Sequence, residues 1–118
     1  MKHVKKNVEY AVRNADVVLD ITVGSGQIGS STVLKGDKEL ASSGSILSVN
    51  LGPGAALKDT DVVVDSQVQD ILAQTNKVSV QYVLSGGVKK APFVAKTTVA
   101  KDLDMCRFTT TISFVGAS

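Results

Sequence analysis

Carboxylates in close pairs are the residues of this chain best able to do chemistry. Asp59/Asp61, Asp102/Asp104 and Asp37/Glu39 are each separated by one residue. Calcium takes six to eight oxygens from such side chains and from loop carbonyls, and a β-sandwich can gather paired acids between the loops at one end. Asp59, Asp61, Asp102 and Asp104 are therefore the candidate calcium ligands, in a module that would take a metal, a glycan or another surface through Asp-rich loops. The competing explanation is that Asp opens turns by hydrogen bonding its own backbone. Lys58, Lys101 and Lys38 stand beside the three pairs and oppose a cation site, and no EF-hand loop is present.

Gly24-Ser25-Gly26-Gln27-Ile28-Gly29 matches the glycine spacing of a dinucleotide-binding turn and follows a strand pattern. Its context is wrong for phosphate. Ser30-Ser31-Thr32-Val33 is a poor helix start, Gly36 would interrupt a helix, and no Lys follows Gly29 as a Walker loop requires. A loop or a β-bulge accounts for the glycines. Gly24, Ser25, Gly26 and Gln27 are kept as candidate loop contacts.

Nucleophilic and metal catalysis are poorly supplied. His3 is the one histidine and Cys106 the one cysteine, too few N and S ligands for zinc. A Ser-His-Asp or Cys-His site would need His3 ordered beside its nucleophile. Cys106 reads as a small buried hydrophobe, and no internal disulfide can form. No catalytic residue is assigned, and the expectation is a protein that is not an enzyme.

Those residues must be carried by strands. From Cys106 to Val115 the chain alternates: Cys106, Phe108, Thr110, Ile112 and Phe114 on one side, Arg107, Thr109, Thr111, Ser113 and Val115 on the other. Successive side chains of a strand point to opposite faces, so this gives one apolar face and one hydroxyl face. With two of the three Phe residues, the strand should anchor the core. Its opposite face, Arg107, Thr109, Thr111 and Ser113, could pack against another subunit, or it could be a solvated face of good strand formers. It is the candidate interface.

Similar alternation runs through Asp16–Val23 and Val78–Leu84; Ile46–Leu51 and Phe93–Ala100 also read as strands, and Val62-Val63-Val64 is a β-branched run. Lys35-Gly36-Asp37-Lys38 reads as a hairpin turn and Gly52-Pro53-Gly54 as a sharp break. Two stretches are ambiguous. Residues 4–15 fit both a helical stripe and a strand, with a lean to strand. Residues 66–75 read as a strand to about Gln69 and then at most one helical turn, with Ser66 and Gln69 spaced as a capping box. The fold expected is all-β: one antiparallel β-sandwich of about 7–9 strands over residues 1–118, with one short helical turn at most and residues 1–7 as a tail or short helix.

Composition agrees. The 118 residues suit one domain, at 43% apolar and 20% charged. The formal net charge of +2, two arginines and five scattered aromatics do not make a nucleic-acid surface. No apolar run approaches the roughly 18 residues of a transmembrane segment, and no apolar leader follows Lys2-His3-Val4-Lys5-Lys6. The cytoplasm is the default location; later release or incorporation into an assembly would leave the same sequence. The leading expectation is a structural or protein-interaction domain, a subunit of a homo-oligomeric or larger assembly, with no cofactor. Its alternative is the calcium-dependent module.

Overall fold

A computed structural model describes residues 2–24, 27–44, 46–70, 77–99 and 104–116. Along the chain run β1 (Lys2–Val12), β2 (Asp16–Val23), β3 (Gln27–Lys35), β4 (Lys38–Ser43), β5 (Ile46–Pro53), a single helical turn α1 (Gly54–Leu57), β6 (Asp61–Asp70), β7 (Lys77–Ser85), β8 (Ala91–Thr98) and β9 (Met105–Gly116). They form two packed sheets, a five-stranded one in the order β1-β9-β6-β3-β4 and a four-stranded one in the order β5-β2-β7-β8. The fold is an all-β sandwich, as the alternating pattern requires.

The two inner faces hold the core. On β9, Cys106, Phe108, Thr110, Ile112 and Phe114 are all buried, while Arg107 is exposed and Thr109, Thr111 and Ser113 are half-buried. Across the core, Val17, Leu19 and Ile21 of β2 and Val78, Val80, Tyr82 and Leu84 of β7 close the other layer. Burying a side chain such as Phe108 or Ile112 contributes about 1.5–3 kcal/mol. With no Trp and three Phe, the core relies on many β-branched residues rather than a few large rings.

Two expectations are corrected. The segment expected as a tail is β1, an edge strand paired with β9 from Lys2↔Cys106 to Val12↔Gly116. That pairing is parallel, so the sandwich is not wholly antiparallel; the first and last strands of the chain run side by side in one direction. A helical turn, α1, lies at Gly54–Leu57, where none was expected, and β6 continues as strand to Asp70; the turn expected after Gln69 falls on residues 71–76, outside the described residues. Val4 and Val8 settle the ambiguity of residues 4–15: at period two they fall opposite Phe108 and Ile112 and join the inner face.

The connection from β5 to β6 crosses between sheets and is tightly held. Leu57 is fully buried. Lys58 N donates to Gly54 O at 2.9 Å, and Thr60 Oγ1 donates to Leu57 O at 2.6 Å. Asp59, at φ +64°, donates its N–H to Phe114 O at 2.9 Å, and Phe114 N donates back to Thr60 O at 3.0 Å. Asp tolerates this left-handed conformation better than most side chains do.

Candidate interaction surfaces

The outer face of the five-stranded sheet is built on β9. Register places His3, Lys5, Asn7 and Glu9 of β1 beside Arg107, Thr109, Thr111 and Ser113. On the other flank lie Gln67, Asp65, Val63 and Asp61 of β6. The four residues expected as an interface therefore do share one face, on an interior strand of the sheet. Two contacts hold it. Arg107 grips Asp65 with both prongs, Nε donating to Oδ1 at 2.9 Å and Nη2 to Oδ2; this carboxylate raises the guanidinium pKa further. His3 Nε2 and Thr109 Oγ1 are hydrogen bonded at 2.8 Å. Alternation alone marks the β9 row, but Asp65 and His3 are partners that only strand order supplies.

The candidate calcium ligands are not gathered at one end. Asp61 pairs with Ser113 of β9, whereas Asp104 immediately precedes Met105, where β9 begins. Nine positions along a strand separate them by roughly 30 Å. Asp59 and Asp61 are both exposed at the α1 end, and Asp102 lies outside the described residues. Among the described residues no three His, Cys, Asp or Glu side chains come within reach of one ion.

The glycine-rich segment is also reassigned in part. Gln27 begins β3 rather than belonging to a loop, and Ser25 and Gly26 lie outside the described residues. Gly29 sits within β3 opposite Val68, where an added Cβ would stand 2.6 Å from Gln67 O. Close strand approach, not phosphate, accounts for that glycine.

Inside the sandwich, a small polar cluster crosses between the layers. Ser31 and Ser66, paired across β3 and β6, are hydrogen bonded at 2.7 Å, and Ser66 Oγ lies 3.5 Å from Tyr82 OH of the opposite sheet. Burial pushes the Tyr82 phenol pKa up, and its hydroxyl neighbours oppose the shift. Thr110 Oγ1 is buried with no partner of hydrogen-bonding geometry among the described residues. Buried polar groups of this kind favour one sheet register over its slipped alternatives, because a slip leaves them unpaired. Cys106 is buried as expected, and burial raises its thiol pKa. Such a thiol is a poor nucleophile at neutral pH.

The four lateral edges differ more than the faces do. β1 and β8 lie on one side of the sandwich and are bridged. Lys2 Nζ donates to Thr98 O at 2.9 Å. Tyr10 OH donates to Lys89 O at 2.7 Å and accepts from Gly87 N at 2.9 Å. Val88 N donates to Ala11 O at 3.1 Å. A Cβ on Gly87 would come within 2.6 Å of the Tyr10 ring, so only glycine lets the β7–β8 turn dock on β1. On the opposite side lie β4 and β5, the other two edges. Chain order does not mark which strands are edges, although Lys89-Lys90-Ala91-Pro92 suits an exposed loop or edge and leads into edge strand β8.

No family model matches this chain, and neither a curated protein nor a solved structure matches it.

Proposed function

We propose that this chain is a non-enzymatic structural or protein-interaction domain that works as a subunit of a larger assembly, contacting its partner through Arg107, Thr109, Thr111 and Ser113. The carrying observation is the outer row of β9: three half-buried hydroxyl residues in line, ending in an arginine whose charge is matched by Asp65. The hydroxyls of the row can exchange water for a partner's polar groups, and the charges beside it, Lys5, Glu9 and Asp61, are of both signs and open to a partner's counter-charges. Val63 and Asn7 extend the uncharged area on either side of Thr111. The metal reading has less support, because Asp59 and Asp61 are far from Asp104.

Sedimentation equilibrium tests the proposal with the variants Thr109→Lys and Thr111→Glu. Both side chains point out of the core, so the β-sheet circular dichroism should be retained while association weakens. Assembly unchanged in both variants counts against this face. Association that disappears in chelator and returns with calcium would favour the acidic loops instead.

A further inference from the structure

An open sheet presents unpaired backbone groups along its edge strands, and proteins blunt such edges with proline, lysine, inward-pointing charge, short length or a covering loop. Three of the four edges here carry lysine, proline or a covering turn. β1 directs Lys2 and Lys6 to the inner face, opposite Cys106 and Thr110, and is covered near its end by the Gly87-Val88 turn. β8 carries Pro92 and Lys96, and Lys2 occupies Thr98 O. β4 is six residues long and begins Lys38-Glu39, with a register shift between Val33 and Leu34 of its neighbour.

β5 shares with β4 a register shift in its neighbour, between Val17 and Val18 of β2, but along Ile46–Gly52 it carries no proline, no lysine and no covering turn; its proline is its last residue, Pro53, and it has no charged residue at all. Its centre reads Leu47-Ser48-Val49-Asn50-Leu51, which is symmetric in character about Val49. Leu47, Val49 and Leu51 belong to the inner face; Leu51 is buried, while Leu47 and Val49 are only partly buried against the core. Ser48 and Asn50 are exposed on the outer face. The Asn50 amide is already oriented, accepting from Gly52 N at 2.8 Å and donating to Asp16 Oδ2 at 3.2 Å.

We propose that β5 pairs antiparallel with β5 of a second copy, about a two-fold axis through Val49, so that two four-stranded sheets become one continuous sheet. The inference goes beyond the interaction reading above: it shares the expectation of assembly, uses a different surface, and names the partner as a second copy of this chain. Antiparallel partners share a face, so a two-fold at Val49 sets Val49 against Val49 of the partner subunit and Leu47 against Leu51 of the partner subunit. Ser48 meets Asn50 of the partner subunit on the outer face. Apolar meets apolar inside, polar meets polar outside, and no like charges are brought opposite one another. Two acids of β2 flank the seam on the outer face: Asp16, whose carboxylate accepts from the Asn50 amide, and Asp20 beside Ser48, which stands three strand spacings from its symmetry mate, about 14 Å, beyond the screening length at physiological salt. The same operation on β8, about Val94, would set Lys96 against Pro92 of the partner subunit, and proline has no N–H to give the new ladder.

Two measurements on the full chain decide it. In sedimentation velocity the protein should form a dimer, and Ser48→Lys, on the exposed face, should raise the dissociation constant at least tenfold while the circular dichroism is retained. Leu47→Lys should act in the same direction by placing an inward charge at the seam. The second measurement is cross-linking. Two Val49 Cα atoms in this register lie roughly 4.5–5.5 Å apart, within disulfide reach. Oxidised Val49→Cys should therefore run as a covalent dimer on a non-reducing gel, and Val94→Cys on β8 should not. A protein that stays monomeric at its highest soluble concentration overturns the pairing. So does Val49→Cys cross-linking no faster than Val94→Cys. A dimer that survives Ser48→Lys and is lost in Thr109→Lys overturns β5 pairing and leaves the outer face of β9 as the contact. A dimer lost in Ser48→Lys and kept in Thr109→Lys upholds β5 and turns the failure onto that face.

Discussion

The two lateral sides of the sandwich solve the same problem in opposite ways. Between β1 and β8 the gap is crossed by Lys2 to Thr98, by Tyr10 to Gly87 and Lys89, and by Val88 to Ala11. Backbone groups and a phenol that would otherwise meet water or another chain are used within the molecule. The β4/β5 side has the chain itself crossing between sheets, yet β5 keeps an uncharged edge. One side is closed by hydrogen bonds within the molecule; the other keeps an edge strand without a charge.

The comparison can be broken hardest at Tyr10. Its ring is buried edge-on against Phe114, centroids 6.5 Å apart, and its hydroxyl serves two loop groups. Tyr10→Ala should cost about 3–5 kcal/mol of unfolding free energy by removing ring and bridge together. Tyr10→Phe keeps the ring and strands the buried Gly87 N–H, for about 1–3 kcal/mol. Urea denaturation measures both; equal losses would mean the hydroxyl bridge contributes nothing to closing this side.

Alkaline pH probes the core that the two sides share. Burial raises the pKa of both Tyr82 and Cys106, so the folded state holds these protons more tightly than the unfolded chain. Their contribution to stability is complete below the unfolded values, about 8.5 for a thiol and about 10 for a phenol, and is lost as pH rises through the higher folded values. Melting temperature should therefore fall progressively above about pH 9. Cys106→Ala and Tyr82→Phe should each flatten that decline, whatever they do to stability at pH 7. A profile as steep in the double variant as in the parent would place the alkaline loss elsewhere.

The smallest effect on stability, and a direct sharpening of the contrast, is expected from Lys6→Val. Lys6 is half-buried on the inner face of an edge strand, between Val4 and Val8. Valine there should change stability by no more than about 1 kcal/mol while making the inward row from Val4 to Val8 apolar throughout. Sedimentation should then show concentration-dependent association through β1 that the parent lacks. Unaltered sedimentation would mean the docked turn, rather than the lysines, protects that edge.

Alternation made most of the strands legible from residues alone. Phe108, Ile112 and Phe114 are buried where period two puts them, and Gly36 makes the β3–β4 turn at φ +61°. Residues 2–7 look like a tail because a basic start carries no apolar row of its own. Their strand exists through its parallel partner β9, 104 positions away in the pairing of Lys2 with Cys106. The outer row Arg107, Thr109, Thr111 and Ser113 was legible as a row. Its ion pair with Asp65 was not, since nothing in the spacing of residues 65 and 107 says that β6 and β9 are neighbours.

By itself, then, the sequence determined most of the strands, which side of each is apolar, and where the chain must turn. Those follow from local sterics and from the two-residue repeat, which every pairing scheme shares. The tertiary structure alone decided that β1 joins β9 in parallel, that Asp61 and Asp104 are remote, and that uncharged β5 lies at an edge. Strand order depends on how two sheets bury their apolar faces against each other, and long-range pairing of that kind leaves no mark on the spacing of residues along one strand.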